Sequence, residues 1–408
     1  MKCRHCQAGL RASFLDLGSA PPSNAYLTAA ALRAPETWYP LRLLVCERCW
    51  LVQTEDHAGR EALFTEDYAY FSSMSSSWLA HSERYVQAMR ERFGLGAGSL
   101  VAEVAANDGC LLQYVKEAGI PCYGVEPTRS TARVARERGL DIIERFFGVE
   151  LARELVEAGR QADLIVANNV LAHVPDINDF VSGFALLLGP EGVATFEFPD
   201  LMSMVMGNEF DITYHEHYSY LSLSTVQRVF EANGLRVFDV QELPTQGGSL
   251  RVFAQRADTG PHRVGRAVEA MLVREREAGM TSLSWYQGFQ SKAERVKDDL
   301  LRFLLDIRGS GKRIGAYGAA AKGNTLLNFA GVRPDLLPFV VDRAPAKQGK
   351  YMPGSRIPIL TEDALKAARP DYVLLLPWNL KDELLQQLAY AREWGARFVT
   401  AVPSLEIA

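Results

Sequence analysis

The sequence predicts an α/β protein in three parts: a four-cysteine module at the N-terminus, a central parallel sheet wound with helices, and a second, smaller parallel sheet at the C-terminus. Three observations predict it. Two CxxC pairs lie in the first 49 residues, apolar strands begin to alternate with helices at Ser99, and the alternation resumes near residue 313 after two amphipathic helical stretches. At 408 residues the chain exceeds one ordinary core, and the parts divide at 1–75, 76–256 and 257–408.

Composition narrows the partner. Hydrophobic content of 48% and charged content of 23% suit a soluble globular chain, and no apolar run approaches the roughly 18–20 residues of a membrane helix. The opening MKCRHCQAGL lacks the apolar core of a secretory signal, so a cytoplasmic location is expected. A net charge of −5 offers no clustered basic face for nucleic acid. A small-molecule substrate and a monomer or weak oligomer are therefore expected.

In the first part, Cys3-x-x-Cys6 and Cys46-x-x-Cys49 read as one zinc site. A two-residue gap lets both thiolates of a pair reach one tetrahedral ion, and a second pair completes the shell. Four thiolates leave no open position, so the expected zinc is structural. Residues 7–45, 39 in all, separate the pairs and contain PPSNAYL at 21–27. Reduced core cysteines and a redox CxxC are weaker readings, since no strand and helix precede the first pair to present it.

In the second part, SLVAEVA, ANDG, CLLQYVKEAG and IPCYGVEP form strand, turn, helix and strand, and the ligand of such a sheet lies beyond the carboxyl ends of its strands. EVAANDG runs from Glu103 to Gly109, and Glu126 ends the second strand, where a carboxylate can accept both ribose hydroxyls. The first loop is not GxGxxG, so a pyrophosphate has no seat. That favours S-adenosylmethionine, which has a ribose and no phosphate. DLIVANN (163–169) and GVATFEFP (192–199) continue the sheet, and LRVFDVQEL (235–243) with GGSLRVFAQR (247–256) closes it as a hairpin-like pair. Five parallel strands and a closing pair resemble the class I methyltransferase fold, and ANNVLAHVPD (167–176) resembles its loop after strand four. The candidate cofactor residues are Glu103, Ala105, Asn107, Gly109, Glu126, Asn168 and Asn169. That fold usually has a glycine where Ala105 stands, and a methyl there would crowd the cofactor at positive φ, so altered backbone geometry is expected.

Between the fifth strand and the closing pair lies ITYHEHYSYLS (212–222), which suits a metal site, an acid/base site or a polar patch. His215 and His217, two apart, would share one face of a strand and could ligate an ion. In the third part, the strand, glycine turn and helix of RIGAYGAAAKGNTLLNF (313–329) point backbone N–H groups at an anion. Lys322 adds charge, with Tyr317 and Asn324 beside it, which suits a diphosphate. The bland reading is a glycine turn packing a helix on a sheet.

From end to end the chain resembles the sugar C-methyltransferases of antibiotic deoxysugar pathways, especially the TDP-hexose C-3 enzymes. The paired knuckles, PPSNAYL, DYAYFSSMSSSW, EVAANDG, NNVLAHVPD, YHEHYSYLS and YGAAAKGNTLLN occur in order. The resemblance implies a zinc domain and a C-terminal α/β domain flanking a cofactor domain. It further implies a TDP-linked 4-keto-6-deoxyhexose substrate, methylated on a carbon beside the ketone. It places the active-site groups on Tyr68, His173, Tyr214, Glu216 and His217. A histidine suits the base, His217 first, with Glu216 as its orienter or a substrate ligand and Tyr68, Tyr214 and His173 as donors to the enolate oxygen. For His173 the plain alternative is a cap on the helix near Pro175. The rivals are a C-5 enzyme on the same scaffold, an NAD-dependent nucleotide-sugar oxidoreductase and a zinc-ribbon nucleic-acid methyltransferase.

Overall fold

The structure, a computed structural model, describes residues 1–57, 59, 63 and 71–408. The first sheet is antiparallel in the order β1 (Ala12–Ala20), β2 (Tyr39–Val45), β3 (Val52–Thr54) and β9 (Ser219–Tyr220). Its last strand comes from ITYHEHYSYLS, with Val52 opposite Tyr220 and Gln53 opposite Ser219. The segment between the fifth parallel strand and the closing pair thus also completes the N-terminal sheet.

The central sheet uses β4 (Val101–Val104), β5 (Cys122–Val125), β6 (Ile142–Ile143), β7 (Ala162–Asn168), β8 (Leu188–Pro199), β10 (Leu235–Leu243) and β11 (Ser249–Arg256). Their order is β10-β11-β8-β7-β4-β5-β6. The five strands β4 to β8 run parallel, while β11 pairs antiparallel with both β8 and β10. This is the class I methyltransferase arrangement expected from the strand pattern. Val193 to Phe198 of β8 are buried throughout, as a sheet covered by helices on both faces requires.

The third sheet, in the order β14-β13-β12-β15-β16-β17, uses β12 (Ile314–Tyr317), β13 (Val340–Val341), β14 (Ile359–Leu360), β15 (Tyr372–Leu375), β16 (Arg397–Thr400) and β17 (Glu406–Ile407). Only β17 runs antiparallel to its neighbour.

The parts interlock through side chains. The helix Phe289–Gly309 buries Phe289, Ala293, Val296, Leu300, Leu304 and Ile307, an apolar stripe at helical spacing. Phe14 of β1 stacks on Phe289 at 5.0 Å, and Trp50 stacks on Tyr286 at 5.7 Å. The preceding helix, Arg266–Glu277, packs back on the central sheet. Its Glu275 accepts from the backbone N–H groups of Leu223 (2.7 Å) and Ser224 (2.9 Å), capping the helix Leu223–Ala232. Leu27 of PPSNAYL exchanges two backbone bonds with Tyr351 (2.9 and 2.8 Å). Among the described residues no helix is long and apolar enough to cross a membrane.

Candidate active site and metal centre

The cofactor cleft opens where β4 ends. Ala105 takes φ 61°, Asn107 49° and Gly109 77°. The expectation of altered geometry at Ala105 is therefore corrected: alanine holds the left-handed conformation usually left to glycine, at a cost of roughly 1–2 kcal/mol. The bonds from its own N–H (2.8 Å) and that of Ala106 (3.1 Å) to the Val125 carbonyl hold the turn closed. Buried Glu126 accepts from the N–H of Asn107 at 2.8 Å through Oε2 and from the N–H of Thr128 at 2.9 Å through Oε1. Burial raises its pKa, and the Thr128 and Asn107 bonds partly offset this. The Thr128 hydroxyl also donates to Oε1, so it is Oε2 that retains accepting capacity for a ribose hydroxyl.

Buried atoms of four residues around this turn lack hydrogen-bond partners among the described residues: Glu103 Oε2, Asp108 Oδ1, both amide atoms of Asn168, and Asn169 Oδ1. Burial, then the charges of Asp108 and Glu126, push Glu103 well above the ordinary carboxylate range. Buried polar atoms in native proteins are nearly always satisfied. A ligand with hydroxyls and a cationic head satisfies these, so S-adenosylmethionine, with its ribose, ammonium and sulfonium, fits. The segment at Ser72 and Ser73 leans on the same turn: the Ser72 N–H donates to Asn107 Oδ1 at 2.9 Å, and the Ser73 hydroxyl donates to Asp108. Tyr68 itself lies outside the described residues.

Beside β7 stands a histidine pair. The rings of His173 and His217 meet edge to face at 4.6 Å, and Tyr214 lies 4.0 Å from His217. His217 Nδ1 is 2.8 Å from the Ile212 carbonyl, and His173 Nδ1 is 2.9 Å from the Glu216 carbonyl. A carbonyl only accepts, so each neutral ring carries its proton on Nδ1 and keeps its lone pair on Nε2. Burial takes His173 down to about 4. It also takes His217 well below the ordinary value, with the His173 and Lys322 charges adding to the effect. His173 does not cap the following helix, which Asp176 caps through the N–H of Asp179 (3.0 Å).

Two expectations for this segment change. Glu216 orients a histidine through its backbone carbonyl; its carboxylate receives Asn24 Nδ2 at 2.8 and 3.0 Å. Residues 213–218 form a turn and not a strand, so the side chains of adjacent residues fan out. His215 consequently does not share a face with His217; its Nε2 lies 3.3 Å from the Pro40 carbonyl and its ring against Tyr39.

The third part reaches the pair through the helix Ala321–Phe329, where the Thr325 hydroxyl donates to the Thr213 carbonyl at 2.7 Å. Buried Lys322 donates to Asn379 Oδ1 at 3.1 Å and lies 4.6 Å above the Trp378 ring, whose Nε1 donates to Asp211 at 2.8 Å. Burial lowers the lysine pKa against the pull of Asp211 and Glu209, and it raises Asp211 to about 6 and Glu209 to about 8. Asn324 Nδ2 donates to the Ser23 carbonyl at 2.6 Å, stapling PPSNAYL to this helix. Tyr317 is a correction. Along β12, Ile314 and Ala316 face the main core, whereas Tyr317 joins an outer cluster with Val341 and Leu365, and its hydroxyl meets Gln387. The period of two in a strand turns it away from the partners of Lys322.

The four cysteines converge as the spacing predicts. Their Sγ atoms all lie within 4.8 Å of one another, with Cys3–Cys49 and Cys6–Cys46 both at 3.5 Å. A tetrahedral ion with Zn–S bonds of about 2.3 Å sets sulfurs about 3.8 Å apart, so the set fits zinc. Gln7 (φ 59°) and Trp50 (φ 65°), each just after a pair, turn their N–H groups back to the carbonyls of Cys3 (3.1 Å) and Cys46 (2.8 Å).

Sequence reasoning missed one network. Glu197 of β8, fully buried, meets His81 Nε2 and Arg251 Nη2 at 2.9 Å each, and the Thr245 hydroxyl donates to it at 3.0 Å. The strand neighbour of Glu197 on β7 is Asn168, so the network borders the cofactor cleft. A lone carboxylate between phenylalanines in FEFP was the available signal. Asn24, the partner of Glu216, offered none.

Comparison with known proteins agrees with this architecture. A zinc-binding domain family matches residues 3–64, a methyltransferase domain family 78–240, and the C-methyltransferase C-terminal domain family 244–403. C-methyltransferase NovU of Streptomyces niveus is 35% identical over 98% of this chain and 95% of its own length. A ubiquinone biosynthesis O-methyltransferase of Methylobacterium sp. (strain 4-46) is 26% identical over 45% of this chain and 74% of its own. The structure of magnesium protoporphyrin IX methyltransferase from Synechocystis PCC 6803 with bound S-adenosylmethionine is 16% identical, covering 44% of this chain and 79% of that one at a TM-score of 0.34. The full-length match to NovU and the three domain families together place the chain among the S-adenosylmethionine-dependent C-methyltransferases.

Proposed function

We propose that the chain methylates carbon 3 of a TDP-linked 4-keto-6-deoxyhexose or 2,6-dideoxyhexose, with or without a 3-amino group, in an antibiotic deoxysugar pathway. It does so as a cytoplasmic monomer or weak oligomer. The observation that carries this reading is the histidine pair: two rings 4.6 Å apart, each with Nδ1 on a backbone carbonyl and a basic Nε2, next to the cofactor cleft.

A hydrogen on a carbon beside a ketone leaves only when a base takes the proton while donors stabilise the enolate oxygen. In this reading His217 takes the proton at Nε2, and the Ile212 carbonyl on Nδ1 supports the imidazolium as it forms. Tyr214 sits against that ring as a donor to the oxygen, and the resemblance adds Tyr68; the donor role expected of His173 is corrected, because its one N–H is held by the Glu216 carbonyl, and its Nε2 lone pair makes it the second candidate base. Glu216, held by Asn24, contacts the sugar, while Lys322 and Asn324 serve the diphosphate. S-adenosylmethionine supplies the methyl group to the resulting carbanion. Zinc holds the N-terminal knuckles and takes no part in the chemistry, since four thiolates fill its shell.

The test is turnover with S-adenosylmethionine and a panel of TDP-keto-sugars, followed by mass spectrometry and NMR of the products. The expected product carries a new methyl at carbon 3, and the protein about one zinc per chain. A methyl at carbon 5 would reassign the regiochemistry on the same scaffold. Tight NAD binding with none for S-adenosylmethionine, or salt-sensitive RNA binding, would sink the reading.

A further inference from the structure

We propose that Arg4, inside the first cysteine knuckle, is a positioning residue that sets the spacing of the two histidine loops. Its side chain is 4% exposed and crosses from the zinc module into the active site. Nε donates to the Tyr218 carbonyl at 3.2 Å, Nη1 to the Pro175 carbonyl at 3.2 Å, and Nη2 to the Thr54 carbonyl at 3.0 Å. Tyr218 directly follows His217, and Pro175 lies two residues after His173. One guanidinium therefore grips both histidine loops.

The loops also meet directly: the Tyr218 N–H donates to the Ala172 carbonyl at 2.8 Å, His173 Nδ1 lies 2.9 Å from the Glu216 carbonyl, and the two histidine rings meet at 4.6 Å. Thr54 adds a hydroxyl bond to the His217 carbonyl at 3.1 Å, so its own hold on Arg4 belongs to the same brace. The guanidinium is fixed at its root. The Arg4 N–H donates to Gln53 Oε1 at 2.8 Å, its charge meets Asp56 at 2.5 Å, and its plane lies 4.8 Å from the Tyr218 ring. Gln53 also donates to Cys3 Sγ at 3.3 Å, so the metal-held knuckle, Arg4 and the histidine loops form one connected frame. A rigid planar fork with five donors can hold three carbonyls at once; a lysine ammonium on a flexible stem cannot reproduce that geometry. The zinc module is then part of how the base is aimed, besides being a fold anchor.

The inference rests on the acid/base reading of the histidine pair, and the experiment separates the two. Arg4→Lys and Arg4→Gln are made in the full, zinc-loaded chain. Four quantities are read: zinc per chain, S-adenosylmethionine affinity by calorimetry, kcat with the best sugar of the panel, and nitrogen NMR of the labelled histidine rings. Zinc content and cofactor affinity should stay within about twofold of the parent. The kcat should fall about tenfold in Arg4→Lys and further in Arg4→Gln, because loss of about an ångström of aim is that costly. The Nδ1–H signatures of His173 and His217, assigned by their asparagine variants, should broaden or average. Parental kcat with parental ring spectra in both variants would overturn the proposal. So would joint loss of zinc, cofactor affinity and kcat in Arg4→Lys, which marks a fold defect. If His173→Asn and His217→Asn each retain full turnover, the reading of the pair fails, whatever Arg4 does to the spectra.

Discussion

Lowering the pH from 7 to 5 distinguishes a buried histidine base from an ordinary one. Burial carries His173 from 6.5 to about 4, opposed by its bond to the Glu216 carbonyl, and His217 is also well below 6.5 for the same first reason. A ring with a pKa of about 4 is about 90% neutral at pH 5, whereas an unshifted ring is about 3% neutral. With His173 as the base, turnover should drop less than about twofold between pH 7 and 5, against about 25-fold for an unshifted histidine; with His217, lowered by the same burial, the fall should likewise stay well short of 25-fold. The stability linkage follows the same window. Because the folded pKa lies below the unfolded one, the contribution of neutral His173 is fully present above pH 6.5 and is lost as the pH falls toward 4, with about 2 kcal/mol gone by pH 5. Initial rates at saturating cofactor and sugar across this range test the first statement. Urea unfolding of the parent and His173→Asn tests the second, because the variant should lack that part of the acid sensitivity. A rate that halves near pH 6.5, or a His173 ring signal that titrates there, would refute the reasoning.

His217→Asn keeps a polar N–H near the Nδ1 position but removes the base, and it should cost about a hundredfold or more in kcat with cofactor affinity unchanged; near-normal turnover would move the role to His173. Glu197→Ala should destabilise the central unit by about 3–5 kcal/mol, because it leaves Arg251 and His81 buried without their carboxylate; urea unfolding reads this, and a loss under about 1 kcal/mol would contradict the network.

Parallel pairing in the central sheet and the metal centre were legible because each is encoded in local spacing. Alternating apolar strands and helices dictate parallel pairing, and two-residue gaps between cysteines dictate a shared ion. That the two histidine motifs belong to one site was legible, since His173 and His217 meet in space. Its wiring was not. Glu216 and His217 are neighbours in sequence, yet the turn at 213–218 sends the carboxylate to Asn24, 192 residues away. Arg4 reads as an ordinary surface charge within a knuckle, and only the fold reveals that its side chain is buried against loops from another part of the chain. Ala105 shows the opposite limit: the residue type argued against a left-handed turn, and the surrounding hydrogen bonds impose it.

The pairing of β9 with β3 bears on how such chains can be recombined. A chimera joined near residue 75 exchanges one module along the sequence, but it would pair a foreign β3 with the resident β9 and set a foreign Thr54 against the His217 carbonyl. The natural unit of exchange is discontinuous: the N-terminal module must travel with residues 212–222 of its own parent. Libraries that respect this seam should keep the histidine loop in register, whereas those cut at the linker will carry a mismatched edge into the centre of the enzyme.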